Sequence, residues 1–122
     1  MVNILRQENI TVIDLGPEYS GLAEDNLGKI AQQIIEVAKH ASPPLVVFDL
    51  SQTDTFDGYF IQFLIRTWKL VKKRSGTVVL CGLNEECQNV LKKNKIDALW
   101  RQFPNRNAAI AGLQGEIESA TT

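Results

Sequence analysis

The spacing of apolar residues changes along this chain, and the changes mark its elements. The run Leu45–Leu50 is too short for a stable helix and lies between Pro43-Pro44 and the polar stretch Ser51–Asp54, which predicts a buried parallel strand. Asp57 can cap a helix that starts at Gly58, because its carboxylate accepts an orphaned backbone N–H of the first turn. That helix runs to about Arg74, where Ser75-Gly76 stops it. Thr77–Cys81 is the next β-rich run. The three pieces form a βαβ unit, whose chemistry belongs where the first strand ends and the helix begins.

The flanking segments extend the pattern. Ile4–Gln7 and Ile10–Leu15 read as two strands, a hairpin or adjacent pair around Glu8-Asn9. Gly16-Pro17-Glu18 marks a turn, and loop is expected to Glu24. Leu27, Ile30, Ala31, Ile34 and Ala38 then recur at helical spacing. Lys39 and His40 fall in that helix's last turn, where cations suit the dipole. Asn84 is a good N-cap, followed by Glu85 and Glu86, with Cys87, Val90 and Leu91 inward. Ala98–Phe103 can form a short strand before Pro104. Asn105 can cap a final helix through Ala108, Ala109 and Leu113, with fraying expected from about residue 116. The sum is an α/β sandwich in one domain over residues 1–122: a mixed four- to five-stranded sheet with about four helices.

Composition narrows the function classes. The chain of 122 residues, 44% hydrophobic and 22% charged, suits one globular domain that buries roughly two-thirds of its unfolded surface. A net charge of −1 gives no reason to expect nucleic acid or an anionic membrane as partner. No apolar run approaches a span of roughly 20 residues, and Met1-Val2-Asn3-Ile4 does not read as a signal peptide, so a cytoplasmic location is expected. Cys81 and Cys87 are not a CxxC pair and read as buried, reduced thiols.

An enzymatic reading lacks its parts. The one histidine, His40, sits at a helix end far in sequence from any nucleophile. Gly-rich phosphate loops, the GxSxG elbow and metal-ligand spacing are all missing, so no cofactor or metal is expected. Asp54 and Asp57 are three apart, but Asp57 has a task as a cap and Asp54 suits a solvated loop. Asp49, at the end of a buried strand, is expected to bond loop amides.

The helix after Asp57 says more. Ile61, Leu64, Ile65, Trp68 and Val71 cluster on the side expected to face the sheet. Tyr59, Phe63, Arg66 and Leu70 fall nearly opposite. An aromatic strip with an arginine inside it has the composition of an interface; the alternative is that loops cover it or that the helix phase is shifted.

These residues also resemble a family. Val46-Val47-Phe48-Asp49-Leu50-Ser51, followed by Thr55-Phe56-Asp57-Gly58, is similar to the core signature of STAS domains, the bacterial anti-sigma-factor antagonists and the cytoplasmic domains of anion transporters. The segment from Gly76 to Leu113 is similar to the family's second half. The resemblance implies a non-catalytic protein-binding domain whose partner, a kinase-like anti-sigma factor or another STAS protein, docks around the loop and the start of the helix, at Asp54, Thr55, Asp57 and Gly58. With the strip Tyr59, Phe63, Arg66 and Leu70 these are the expected partner-binding residues. In regulated members the residue after the Asp is a phosphorylated Ser or Thr. Here it is Gly58, which has no oxygen to phosphorylate, so the switch is either lost or moved to Ser51, Thr53 or Thr55. Two other readings stay open: a nucleotide or lipid sensor, and a self-associating subunit of a larger signalling assembly.

Overall fold

The N-terminal hairpin forms as its pattern predicts. Strands β1 (Asn3–Gln7) and β2 (Ile10–Asp14) pair antiparallel, with Gln7 opposite Ile10. Asn9 turns the chain at a φ of 67°, a left-handed conformation that Asn tolerates better than most residues. The computed structural model describes the backbone of residues 3–7, 9–15, 24–53 and 58–121, and their side chains except at 24–28, 30, 58, 59 and 116–121. The turn expected at Gly16-Pro17-Glu18 lies outside these residues.

Helix α1 (Glu24–His40) leads to β3 (Leu45–Asp49), α2 (Gly58–Lys73) to β4 (Thr77–Cys81), and α3 (Glu85–Lys93) to β5 (Arg101–Phe103); α4 (Arg106–Thr121) follows. The sheet order is β1-β2-β3-β4-β5, parallel from β2 onward. Successive crossovers between neighbouring parallel strands share one hand and so place their helices on one face. The two cores show that division. Val46, Phe48, Leu50, Val78 and Leu80 pack with Ile34, Leu64 and Leu91 from α1, α2 and α3. The alternate residues Val47, Val79 and Cys81 join Ile10 and Val12 against Ala109, Ile110 and Leu113 of α4. Covered on both faces, β3 and β4 can be apolar at every position, which is why they read as runs rather than alternations. The result is the expected single-domain α/β sandwich: five strands and four helices among the described residues.

Two helix starts also follow the sequence. The Asn84 side chain accepts from the Cys87 amide at 2.8 Å, and Asn105 accepts from the Ala108 amide at 2.8 Å, each satisfying an orphaned donor. The expected strand Ala98–Phe103 shortens to Arg101–Phe103. A turn with Leu99 N–H bonded to the Ile96 carbonyl at 3.1 Å precedes it. Trp100 is buried there, edge to face with Trp68 at 6.0 Å.

The phase of α2 needs correction. Phe60, Leu64, Thr67 and Val71 are all fully buried and Ile61 nearly so, while Ile65 and Trp68 are half-buried. The inward arc is therefore centred on Phe60–Leu64–Thr67–Val71. At roughly 100° per residue, Phe63 and Leu70 stand about a quarter turn from that centre, on a flank and not opposite the core. Phe60 and the polar Thr67, neither of them on the expected face, are both fully buried and turn the arc.

Candidate functional site

The C-terminal edge of the sheet carries a row of paired residues: Asp14 beside Asp49, Asp49 beside Cys81, Cys81 beside Phe103. Two carboxylates on neighbouring parallel strands would repel, and Asp49 is only 3% exposed. Arg106, the first residue of α4, resolves both problems. Its Nε donates to Asp49 Oδ2 at 2.8 Å and its Nη2 to Asp14 Oδ2 at 3.0 Å. Asp49 keeps its other oxygen for the loop, where Oδ1 accepts from the Ser51 amide at 3.0 Å. Burial pushes the Asp49 carboxyl up, but the hydrogen bonds from Ser51 and the Arg106 guanidinium outweigh it and hold the pKa below the usual value.

The loop that leaves β3 is pinned on several sides. The Leu50 amide donates to the Cys81 carbonyl at 2.9 Å, and the Thr53 amide to the Leu50 carbonyl at 3.0 Å. The Thr53 carbonyl in turn faces the start of α3, accepting from Cys87 Sγ at 3.6 Å and from Asn84 Nδ2 at 3.5 Å. The backbone is so held up to Thr53.

The residues expected at a binding site distribute around this loop. Gly58 opens α2. Asp54, Thr55 and Asp57 lie outside the described residues, as does the side chain of Tyr59; the Asp57 cap therefore stays an expectation. Ser51 is exposed, whereas Thr53 is 2% exposed. Phe63 and Arg66 line a cleft of about 430 Å³ between α1 and α2, opposite Ala31, Gln32, Ile35, Glu36 and Lys39. Arg66 is exposed and Phe63 half-buried. Leu70 is partly buried against the core. The strip is thus split between a cleft wall and a core flank.

The sequence reading did not single out Asp14 or Arg106 as members of a site. One signal was available: Arg106 follows an N-capping Asn, and a cation in the first turn opposes the helix dipole. Such a residue calls for a carboxylate, and Asp14 and Asp49 close their strands at matching positions.

Both cysteines are buried. Burial, with the Asp49 charge adding to it, pushes the Cys81 thiol up to about 12, far from the thiolate a nucleophile or ligand needs. Among the described residues no group of three or more His, Cys, Asp or Glu side chains is placed to hold a metal ion. No helix there is long and apolar enough to cross a membrane.

A model of the STAS domain matches residues 2–109. The chain belongs to the STAS domain family. Solved STAS structures repeat its architecture. An anti-sigma-factor antagonist (STAS) domain protein from Planctomyces limnophilus superposes with a TM-score of 0.81 at 28% identity, over 90% of this chain and 96% of that one. An anti-sigma factor antagonist from Mycobacterium paratuberculosis gives 0.75 at 14% identity, over 93% of each chain. The anti-sigma factor antagonist SpoIIAA, in its unphosphorylated form, gives 0.70 at 13% identity, over 94% of this chain and 99% of that one. The last two share the fold. No curated protein matches the chain.

Proposed function

We propose that this STAS domain is a non-catalytic, cytoplasmic protein-binding module of bacterial signalling, similar to an anti-sigma-factor antagonist but without the phosphorylation switch. Its partner is a kinase-like anti-sigma factor or a second STAS protein. The observation that carries the reading is Gly58 at the first position of α2, where the family resemblance expects the phosphoacceptor. A phosphoryl group there would place about two negative charges in a surface shaped for a neutral hydroxyl and expel the partner. Gly58 offers no atom for it, so binding is constitutive. If phosphorylation has moved, Ser51 is the better acceptor, because it is exposed while Thr53 is buried.

The docking surface in this reading runs from Asp54, Thr55 and Asp57 through Gly58 and Tyr59 to Phe63, Arg66 and Leu70. An aromatic and an arginine on the wall of a cleft lined by both apolar and charged side chains are what binding hot spots use. Titration calorimetry against the purified kinase-like anti-sigma factor of the same cell tests it. The wild type is expected to bind, and the Tyr59→Ser, Phe63→Ser variant to bind at least about a hundredfold more weakly, the effect of losing two aromatic anchors. Equal affinities of a folded variant and the wild type would move the contact elsewhere.

A further inference from the structure

The Asp49 carboxylate faces two elements at once. One oxygen takes the Arg106 Nε of α4 at 2.8 Å, the other the Ser51 amide at 3.0 Å. The same guanidinium holds Asp14 on β2 at 3.0 Å. The first turn of α4 and the first residues of the β3–α2 loop therefore meet through a single buried side chain, although Arg106 and Ser51 lie far apart in sequence. From this geometry we infer that Arg106 is a positioning residue for the first residues after β3: by fixing the orientation of Asp49 it holds the chain at Ser51.

The chemistry favours a fixed carboxylate over a mobile one. A buried carboxylate needs donors for both oxygens. Arg106 supplies a charged, planar donor pair whose second arm is occupied by Asp14, so the guanidinium is itself held at two points. With that arm in place Oδ2 is held and Oδ1 is left to accept from the Ser51 amide. Without it the carboxylate loses its charged donor and rotates or takes up a proton more readily, and either event weakens the bond to Ser51. Neighbouring constraints limit where the loop could go instead. The Leu50 amide is tied to Cys81 and the Thr53 amide to Leu50, so between them the Ser51 amide is the group whose hydrogen bond depends on Asp49. The consequence for partner affinity rests on the function proposed above; the effect on the loop does not.

Amide hydrogen exchange on the isolated chain, resolved by NMR at Ser51, tests the inference without any partner. In Arg106→Gln, loss of a charge-assisted hydrogen bond is expected to speed Ser51 exchange about tenfold, with the Val46 and Val79 amides in the strands unchanged. Asn105→Ala, which removes the α4 cap bonded to Ala108 but leaves the guanidinium, is the control and should move Ser51 exchange much less. Equal acceleration in both variants would reduce Arg106 to a stabiliser of α4 and overturn the inference, as would unchanged exchange in Arg106→Gln. If Arg106→Gln fails to fold, Arg106→Lys replaces it: an ammonium keeps the charge but lacks the planar fork that holds Asp49 and Asp14 together. Ser51 exchange is then again expected to speed relative to Asn105→Ala, and unchanged exchange would overturn the inference. Binding then separates the two readings. If the wild type binds its anti-sigma factor and Arg106→Gln binds as tightly, the loop effect has no role in recognition; if the wild type itself does not bind, the proposed function fails while the exchange result stands.

Discussion

Gly82 and Ser51 approach so closely that a side chain on Gly82 would have no room. Gly82 sits at a φ of 73°, and a Cβ built on it would lie 2.8 Å from Ser51 Cβ and 2.9 Å from the Ser51 amide nitrogen. The turn after β4 thus gives way to the loop after β3. Both backbone strain and the clash count against any larger residue. Gly82→Ala is expected to lower stability by about 1–3 kcal/mol, read as a lower urea midpoint. It should also shift the Ser51 and Gln52 amide resonances. A fully stable variant would mean that the contact is not constrained as described.

Acid should weaken the protein through Asp49. Its carboxyl is held below the usual value in the folded chain, so the unfolded chain binds the proton more readily. The stabilisation is present above the ordinary carboxylate range, about pH 4, and is lost as pH falls through the lowered native value. Urea unfolding of wild type and Asp49→Asn is the measurement. At neutral pH the variant is expected to be less stable by about 3 kcal/mol, the cost of breaking a buried pair. The gap should narrow only below about pH 4. A gap that widens on acidification would contradict the assignment.

The thiol of Cys81 should be inert. With its pKa pushed up to about 12 by burial and by the charge of Asp49, it holds almost no thiolate at neutral pH, and Cys87 is also fully buried. Neither cysteine is expected to react with a chromogenic disulfide reagent over an hour at pH 7.5, whereas both should react at once in denaturant. Rapid labelling of the folded chain would reopen a redox role.

The sheet was legible because its physics is local. Pro43-Pro44 before Leu45, the short apolar runs and the Ser75-Gly76 stop mark strand and helix ends without knowledge of their neighbours. Asn84 and Asn105 could be read as caps for the same reason, since a cap bonds an amide three residues on. The inward face of α2 was harder. Thr67 and Phe60 are fully buried; the first carries no apolar signal, and the second lies off the face drawn through Ile61, Leu64, Ile65, Trp68 and Val71, so Phe63 stands closer to the core than that face implies. The Asp14–Arg106–Asp49 cluster was not legible as a unit. Its members come from the ends of β2 and β3 and the start of α4, and only the fold brings them together. Each residue alone has a bland explanation.

Gly58 carries the central claim that this STAS domain binds without a phosphorylation switch. Incubation with the purified kinase-like anti-sigma factor and labelled ATP, read by mass spectrometry and by co-elution, tests it directly. The wild type is expected to take up no phosphate and to stay bound, while Gly58→Ser takes up one phosphate at that position and is released. Stoichiometric phosphate on Ser51, Thr53 or Thr55 of the wild type, with loss of the complex, would contradict the account.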